Sequence, residues 1–378
     1  MPMLIHGIWR LSVIHRQVYT PIIKHCVNNQ GQKELPVSDQ AIEEIAPDVN
    51  LANVMLNEEP LTSHRKRNSF KKSFSSYWAL LALFTYIVGL GSGYLFWGRT
   101  TGESNANTAE TASQADAVMS TLLEQINPPD GVELPIRYGD FAPKLIAAGV
   151  IDYDKFSRVY QEIGSPLSKQ QIAILTEGSN DLVVISKGNQ HFLLNLFWAL
   201  GLANRNRILT EGLMMRNGKD QVVNFASTGG WTIAVKPVGE LYASQPILTL
   251  TDEQQKRLEE VASGVYRPCC DNPTHFPDCN HGMAMLGLLE LMAFQGASVE
   301  EMFAAAKYVN AYWFPQQAME VAVLFKTARN VDFAQAEARQ VVGQQLFSGS
   351  GFKAVHQWLV QNGKLDQAPA GGGSCGVK

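Results

Sequence analysis

Between Tyr77 and Trp97 the chain runs 21 residues, YWALLALFTYIVGLGSGYLFW, without a charged side chain. At a helical rise of about 1.5 Å per residue this length spans a hydrocarbon layer of ~30 Å, so the pattern predicts a transmembrane helix over 77–97. Tyr77 and Trp78 stand at one end and Tyr94 and Trp97 at the other. There an amphipathic ring keeps its body in lipid and its polar atom among the headgroups. Arg65, Lys66, Arg67, Lys71 and Lys72 precede the stretch and only Arg99 follows it closely, which predicts a cytoplasmic N-terminus and a C-terminal part outside. The stretch lies far from the start and ends in Trp97-Gly98-Arg99, unlike a cleaved signal peptide, so the expectation is a retained single-pass anchor. Gly89 and Gly93 form a small-xxx-small pair that would let two such helices approach as a homodimer.

Residues 1–76 read as a largely disordered cytoplasmic arm. Its first thirty residues hold an apolar and basic run that suits either an amphipathic helix on lipid or an irregular tail. Residues 98–115 include GESNANTAETASQ, which has almost no bulky apolar residue and predicts a flexible linker. From Asp116 to about residue 366 the spacing becomes helical, and 367–378 is a glycine-rich flexible tail. Helix starts are marked by Ser168 with Gln171, Thr251 with Gln254 and Ser298 with Glu301, each a capping-box pair. The run NQHFLLNLFWALGLA, 189–203, is apolar nearly all round and predicts a central buried helix. Residues 283–294 predict a second apolar helix, and 300–314 a third that Pro315 stops or kinks. Runs with strand character occur only at Leu182–Ile185 and Trp231–Val235, enough for no more than a small hairpin or sheet. The predicted fold is mainly α: one transmembrane helix and a compact helical extracytoplasmic domain with minor β-hairpin content.

Composition narrows the function classes. Hydrophobic residues make up 46% of the 378, enough for a substantial core, while a mean hydropathy of -0.08 is too low for a multispanning transporter. With 17% charged residues and a net charge of -4 there is no broad cationic face for nucleic acid. The charge divides at the membrane, +2 over residues 1–76 and -6 over the rest. No Walker A sequence, G-x-G-x-x-G turn after a strand, H-E-x-x-H helix or G-x-S-x-G elbow is present, so the commonest recognisable enzyme classes are not indicated.

The chemistry concentrates in thirteen residues, CCDNPTHFPDCNH, from Cys269 to His281. Pro268, Pro273 and Pro277 bar a regular helix through them, so the segment predicts a stiff folded loop with Cys279 and His281 at the N-terminus of the next helix. There the helix dipole favours a thiolate, which binds metal or attacks an electrophile. Three readings stand side by side. In an oxidising compartment Cys269, Cys270, Cys279 and Cys375 would pair as disulfides, three pairings being possible, while Cys26 lies in the cytoplasm. As a metal site, Cys269, Cys270, Cys279, His275, His281, Met285 and the tail's Cys375 offer soft donors that select copper(I) or zinc. As a redox site, the thiols would cycle with a disulfide, Cys375 reaching back on its glycine-rich arm. His191 and Asn195 on the central helix read as satisfied core polar groups, Thr228–Trp231 as a tight turn, and Tyr308, Tyr312, Trp313 and Phe314 as core packing.

The runs YRPCCDNPTHFPDCNHGMAMLGLLELMA, RYGDFAPKLIAAGVID and HFLLNLFWALGLANRN resemble exported or membrane-anchored bacterial proteins of uncharacterised activity, over roughly residues 130–320. The resemblance implies a bacterial source and an inner-membrane location, and it implies no activity. The expectation is therefore an anchored extracytoplasmic binding protein with a Cys/His site. Its alternatives are an envelope scaffold with structural disulfides and a thiol oxidoreductase.

Overall fold

A computed structural model describes residues 120–365. The expected membrane segment, arm, linker and tail, with Cys26, Gly89, Gly93 and Cys375, lie outside the described residues. Among the described residues no helix is long and apolar enough to cross a membrane. The described part is mainly helical, in the order β1 (Val132–Gly139), α1 (Phe141–Ala147), α2 (Tyr153–Glu162), α3 (Lys169–Thr176), β2 (Ser179–Ile185) and α4 (Gln190–Ala203). Short helical turns follow, then α5 (Asp252–Gly264), α6 (Asn280–Phe294), α7 (Val299–Trp313), α8 (Pro315–Arg329) and α9 (Gly349–Gln361).

The two apolar runs become the crossing pair at the centre. Every residue of α4 from Phe192 to Ala203 is buried, as is every residue of α6 from Gly282 to Ala293. Leu, Phe and Met side chains each contribute roughly 1.5–3 kcal/mol when fully withdrawn from water, so burying this seam strongly stabilises the domain. What lets the helices come so close is a pair of glycines. A Cβ on Gly201 would overlap the carbonyl oxygen of Met283, and one on Gly287 would overlap that of Phe197. Backbone therefore meets backbone at the crossing.

The three capping boxes form as the sequence predicts, on α3, α5 and α7. In α3, Ser168 Oγ accepts from the Gln171 N–H at 3.1 Å and Gln171 Oε1 accepts from the Ser168 N–H at 2.8 Å, so two orphan donors are satisfied reciprocally. Pro315 ends α7 and opens α8 at its first turn, where a missing N–H costs nothing.

The β expectation needs correction. The two strands are antiparallel, with Glu133 opposite Val184 and Arg137 opposite Leu182, but three helices separate them, so they are not a hairpin. Trp231–Val235 forms no strand. Its backbone instead bonds the α1–α2 connection, Ile233 O accepting from Asp152 N at 2.9 Å and Val235 N donating to Gly149 O at 3.0 Å. Trp231 itself is buried, its Nε1 donating to Val150 O. Thr228 and Gly229 belong to a helical turn, Ala226–Gly229, rather than to a turn between strands.

Candidate metal centre

The segment between α5 and α6 contains Pro268, Pro273 and Pro277 and forms no helix, as their missing N–H groups require. It is tied down on several sides. Thr274 N and His275 N donate to the carbonyls of Val265 and Ala262 near the end of α5, at 2.8 and 2.9 Å. Asn310 on α7 donates to Tyr266 O at 3.0 Å, and Ser350 on α9 donates to Asp271 Oδ1 from both its N–H and its hydroxyl, each at 2.7 Å. Gly349 N adds a bond to Cys270 O. With its backbone donors and acceptors used in this way, the segment holds one shape.

At its centre lies Arg267, only 2% exposed. The guanidinium donates to Asn272 O at 2.8 Å and Phe276 O at 3.0 Å, pairs with the Asp278 carboxylate, and sends Nε to Cys279 Sγ at 2.9 Å. Asn272 Nδ2 holds the other Asp278 oxygen at 2.9 Å. The segment is thus wrapped around one cation, which has found the partners a buried charge requires. Gly282 makes room for it, because a Cβ there would sit 2.5–2.8 Å from three guanidinium atoms.

Cys279 is the N-cap of α6, its Sγ accepting from the Gly282 N–H at 3.4 Å. Cys269 Sγ lies 3.5 Å from it, and Cys270 Sγ completes a group whose sulfurs all lie within 4.8 Å of one another. Cys269 is exposed, and Cys270 and Cys279 are half-buried. A tetrahedral ion with M–S near 2.3 Å needs S···S of about 3.8 Å, and a trigonal one about 4.0 Å. The observed spacing is within about 1 Å of both.

Charge is distributed unequally over the three thiols. Hydrogen bonds from Cys269 and Cys270 pull the Cys279 thiol well below its ordinary range, with help from Arg267, and these outweigh its burial. Cys269 is pushed well above that range, chiefly by its hydrogen bonds with Cys270 and Cys279. For Cys270 the bond with Cys269 pulls down, but the bond with Cys279 together with burial prevails and holds it at about 12. Burial opposes the charge on Arg267, yet attraction from Cys279, Cys270, Asp278 and Cys269 wins and fixes it as a cation. Burial and the Cys279 charge push Asp278 up, while Arg267 and Asn272 pull it back. Of the three, Cys279 is the sulfur whose surroundings most favour negative charge, and it lies beside the guanidinium.

Of the seven residues that the sequence nominates, the structure brings together Cys269, Cys270 and Cys279. Neither imidazole joins them. His281 turns its ring toward Phe314 and Trp313, at centroid distances of 4.6 and 5.8 Å, and burial drives its pKa down to about 4. His275 is held through its backbone N–H. Met285 lies buried in α6, one turn beyond His281. Cys375 lies outside the described residues. Sequence reasoning missed Arg267, Asn272, Asp278 and Gly282. The available signal was an arginine before proline and an aspartate before Cys279, in a segment with no other Lys or Arg.

Away from this centre, Asn195 Nδ2 donates to Tyr160 Oη at 2.9 Å and Tyr160 Oη to His191 O at 3.1 Å, so Asn195 is satisfied, as expected. For His191 the expectation of a satisfied core histidine is corrected: its Nδ1 is buried without a hydrogen-bond partner, and burial lowers its pKa. Three sulfurs beside a buried guanidinium can hold a soft cation or give two electrons to an external oxidant by forming a disulfide. The chain matches no protein-family model, no curated protein and no solved structure, so the case for either chemistry rests on this geometry.

Proposed function

We propose that the protein binds a soft metal ion through the sulfurs of Cys269, Cys270 and Cys279, as a membrane-anchored extracytoplasmic binding protein. The observation that carries the reading is the mutual approach of the three sulfurs to within 4.8 Å on a segment already fixed by its own hydrogen bonds. A preformed donor set of this kind has little ordering entropy left to lose on binding. Thiolate donors select copper(I) or zinc over hard cations. Copper(I) is satisfied by three sulfurs, whereas zinc takes a fourth donor, for which Cys375 is the sequence candidate. The thiols of Cys269 and Cys270 lose their protons on binding, so affinity rises with pH. Arg267 offsets part of the negative charge that three thiolates and Asp278 would otherwise place together. The anchor and its orientation come from residues 65–99 of the sequence.

The test uses the full-length chain, purified in detergent, reduced without oxygen and titrated separately with copper(I) and zinc, then freed of excess ion and subjected to elemental analysis. One equivalent of one of these ions is expected, falling to background in Cys279→Ser and remaining in His281→Ala. Full retention of the ion in Cys279→Ser, or no retention by the parent chain, refutes the reading.

A further inference from the structure

Within the sulfur group one pair stands apart. Cys269 and Cys279 sulfurs are in direct contact at 3.5 Å, whereas Cys270 Sγ, which interacts with both, also donates to Asp278 Oδ1 at 3.8 Å. A disulfide needs S–S near 2.05 Å, so the Cys269–Cys279 pair is about 1.5 Å from bonding distance. A bond between the neighbours Cys269 and Cys270 would have to distort the peptide that joins them. Exposure adds a direction, because Cys269 is the exposed member of the group and meets a solute first.

The geometry points to a redox gate on the proposed metal centre: a small hydroperoxide oxidises Cys269 and Cys279 to a disulfide, which expels the ion and leaves Cys270 as a free thiol. In the first step the Cys269 sulfur, a thiolate once the ion is bound, attacks one oxygen of the peroxide. The O–O bond breaks, Cys269 keeps the attacked OH as a sulfenic acid, and the departing alkoxide or hydroxide takes a proton from solvent to leave as alcohol or water. In the second step the Cys279 sulfur attacks Cys269 Sγ. The S–S bond forms, the S–O bond breaks, and the departing hydroxide takes a proton from solvent. Two electrons pass from the sulfur pair to the peroxide, which ends as alcohol and water. A sulfur in a disulfide carries no thiolate charge for a cation, so a single remaining thiolate has to hold the ion and cannot.

The gate rests on the metal-binding reading for its effect, while the disulfide itself does not. The experiment treats the full-length, ion-loaded chain with one equivalent of hydrogen peroxide, alkylates free thiols, and digests before aspartate. Cleavage before Asp271 and Asp278 separates Cys279 from the fragment ending in Cys269 and Cys270. The expected result is a crosslink from Cys269 to the Cys279 fragment, an alkylated Cys270, and full release of the ion. Cys270→Ser retains the crosslink, and Cys269→Ser abolishes it. A crosslink through Cys270, over-oxidised unbridged cysteines, or a crosslinked chain that keeps its ion overturns the gate. If the starting chain takes up no ion, the metal reading fails and the gate with it, and the Cys269–Cys279 crosslink is still read from the same digest.

Discussion

Replacing Gly282 by alanine separates local preference from the demands of the buried cation. The position lies in the first turn of α6 with helical backbone, where alanine is favoured over glycine by about 1 kcal/mol. Against that gain stands the Arg267 guanidinium, with atoms 2.5–2.8 Å from where the new methyl would sit. A surface guanidinium would swing aside. This one is 2% exposed and held by two carbonyls, Asp278 and Cys279, so moving it strands a half-buried carboxylate and breaks the bonds that shape the segment. Breaking a buried ion pair by removing one member costs roughly 3–5 kcal/mol; the half-buried carboxylate puts this pair at the low end, and subtracting the helix gain leaves a net loss of about 2 kcal/mol. Denaturant unfolding of the full-length chain, followed by tryptophan fluorescence, reads this loss as a lower midpoint. In an Arg267→Met background the same substitution should cost much less, since a methionine side chain is flexible and carries no charge to strand. A Gly282→Ala chain as stable as the parent, or more stable, would refute the assignment of Arg267 as the organiser of the segment.

Two further expectations concern the helix seam. Glu290 is fully buried on α6, and burial raises its pKa well above the ordinary 4.5 while the Asn204 side chain pulls the other way. The folded chain therefore keeps this proton at pH values where the unfolded chain has lost it, and stability falls by about 1.4 kcal/mol per pH unit from near 4.5 until the folded carboxyl titrates. Glu290→Gln removes the titration, so its melting temperature should exceed the parent's at pH 7 and approach it at pH 4; a gap independent of pH would contradict the argument. Gly201→Ala forces α4 away from the Met283 carbonyl, and overpacking of about 1–3 kcal/mol or more is expected to outweigh its helix-propensity gain. Calorimetry of the variant showing an unchanged or raised melting temperature would mean the seam has slack that the glycines do not need.

Sequence pattern was sufficient where one element answers to one local rule. The all-apolar run that became α4, the run that became α6, and the three capping boxes needed no knowledge of neighbours. β1 was illegible because Pro135 sits in its middle, and its partner β2 lies three helices away, so no local turn announces the pair. Trp231–Val235 has strand composition but spends its backbone bonds on a loop, a choice made by tertiary packing. At the site, clustering found the cysteines. His281 was drawn in by its nearness to Cys279 in the chain, but two residues along a helix turn a side chain about 200° round the axis, to the Trp313 and Phe314 side. Arg267 escaped notice because two of its four partners are backbone carbonyls, whose positions leave no mark in residue type.

The cap that Cys279 places on α6 limits how many ions the centre can serve. A thiolate sulfur has three lone pairs, and here one is directed to by the Gly282 amide and another by Arg267 Nε. On the proposed reading, a sulfur already crowded by these two donors is better placed to bind one ion terminally than to bridge two.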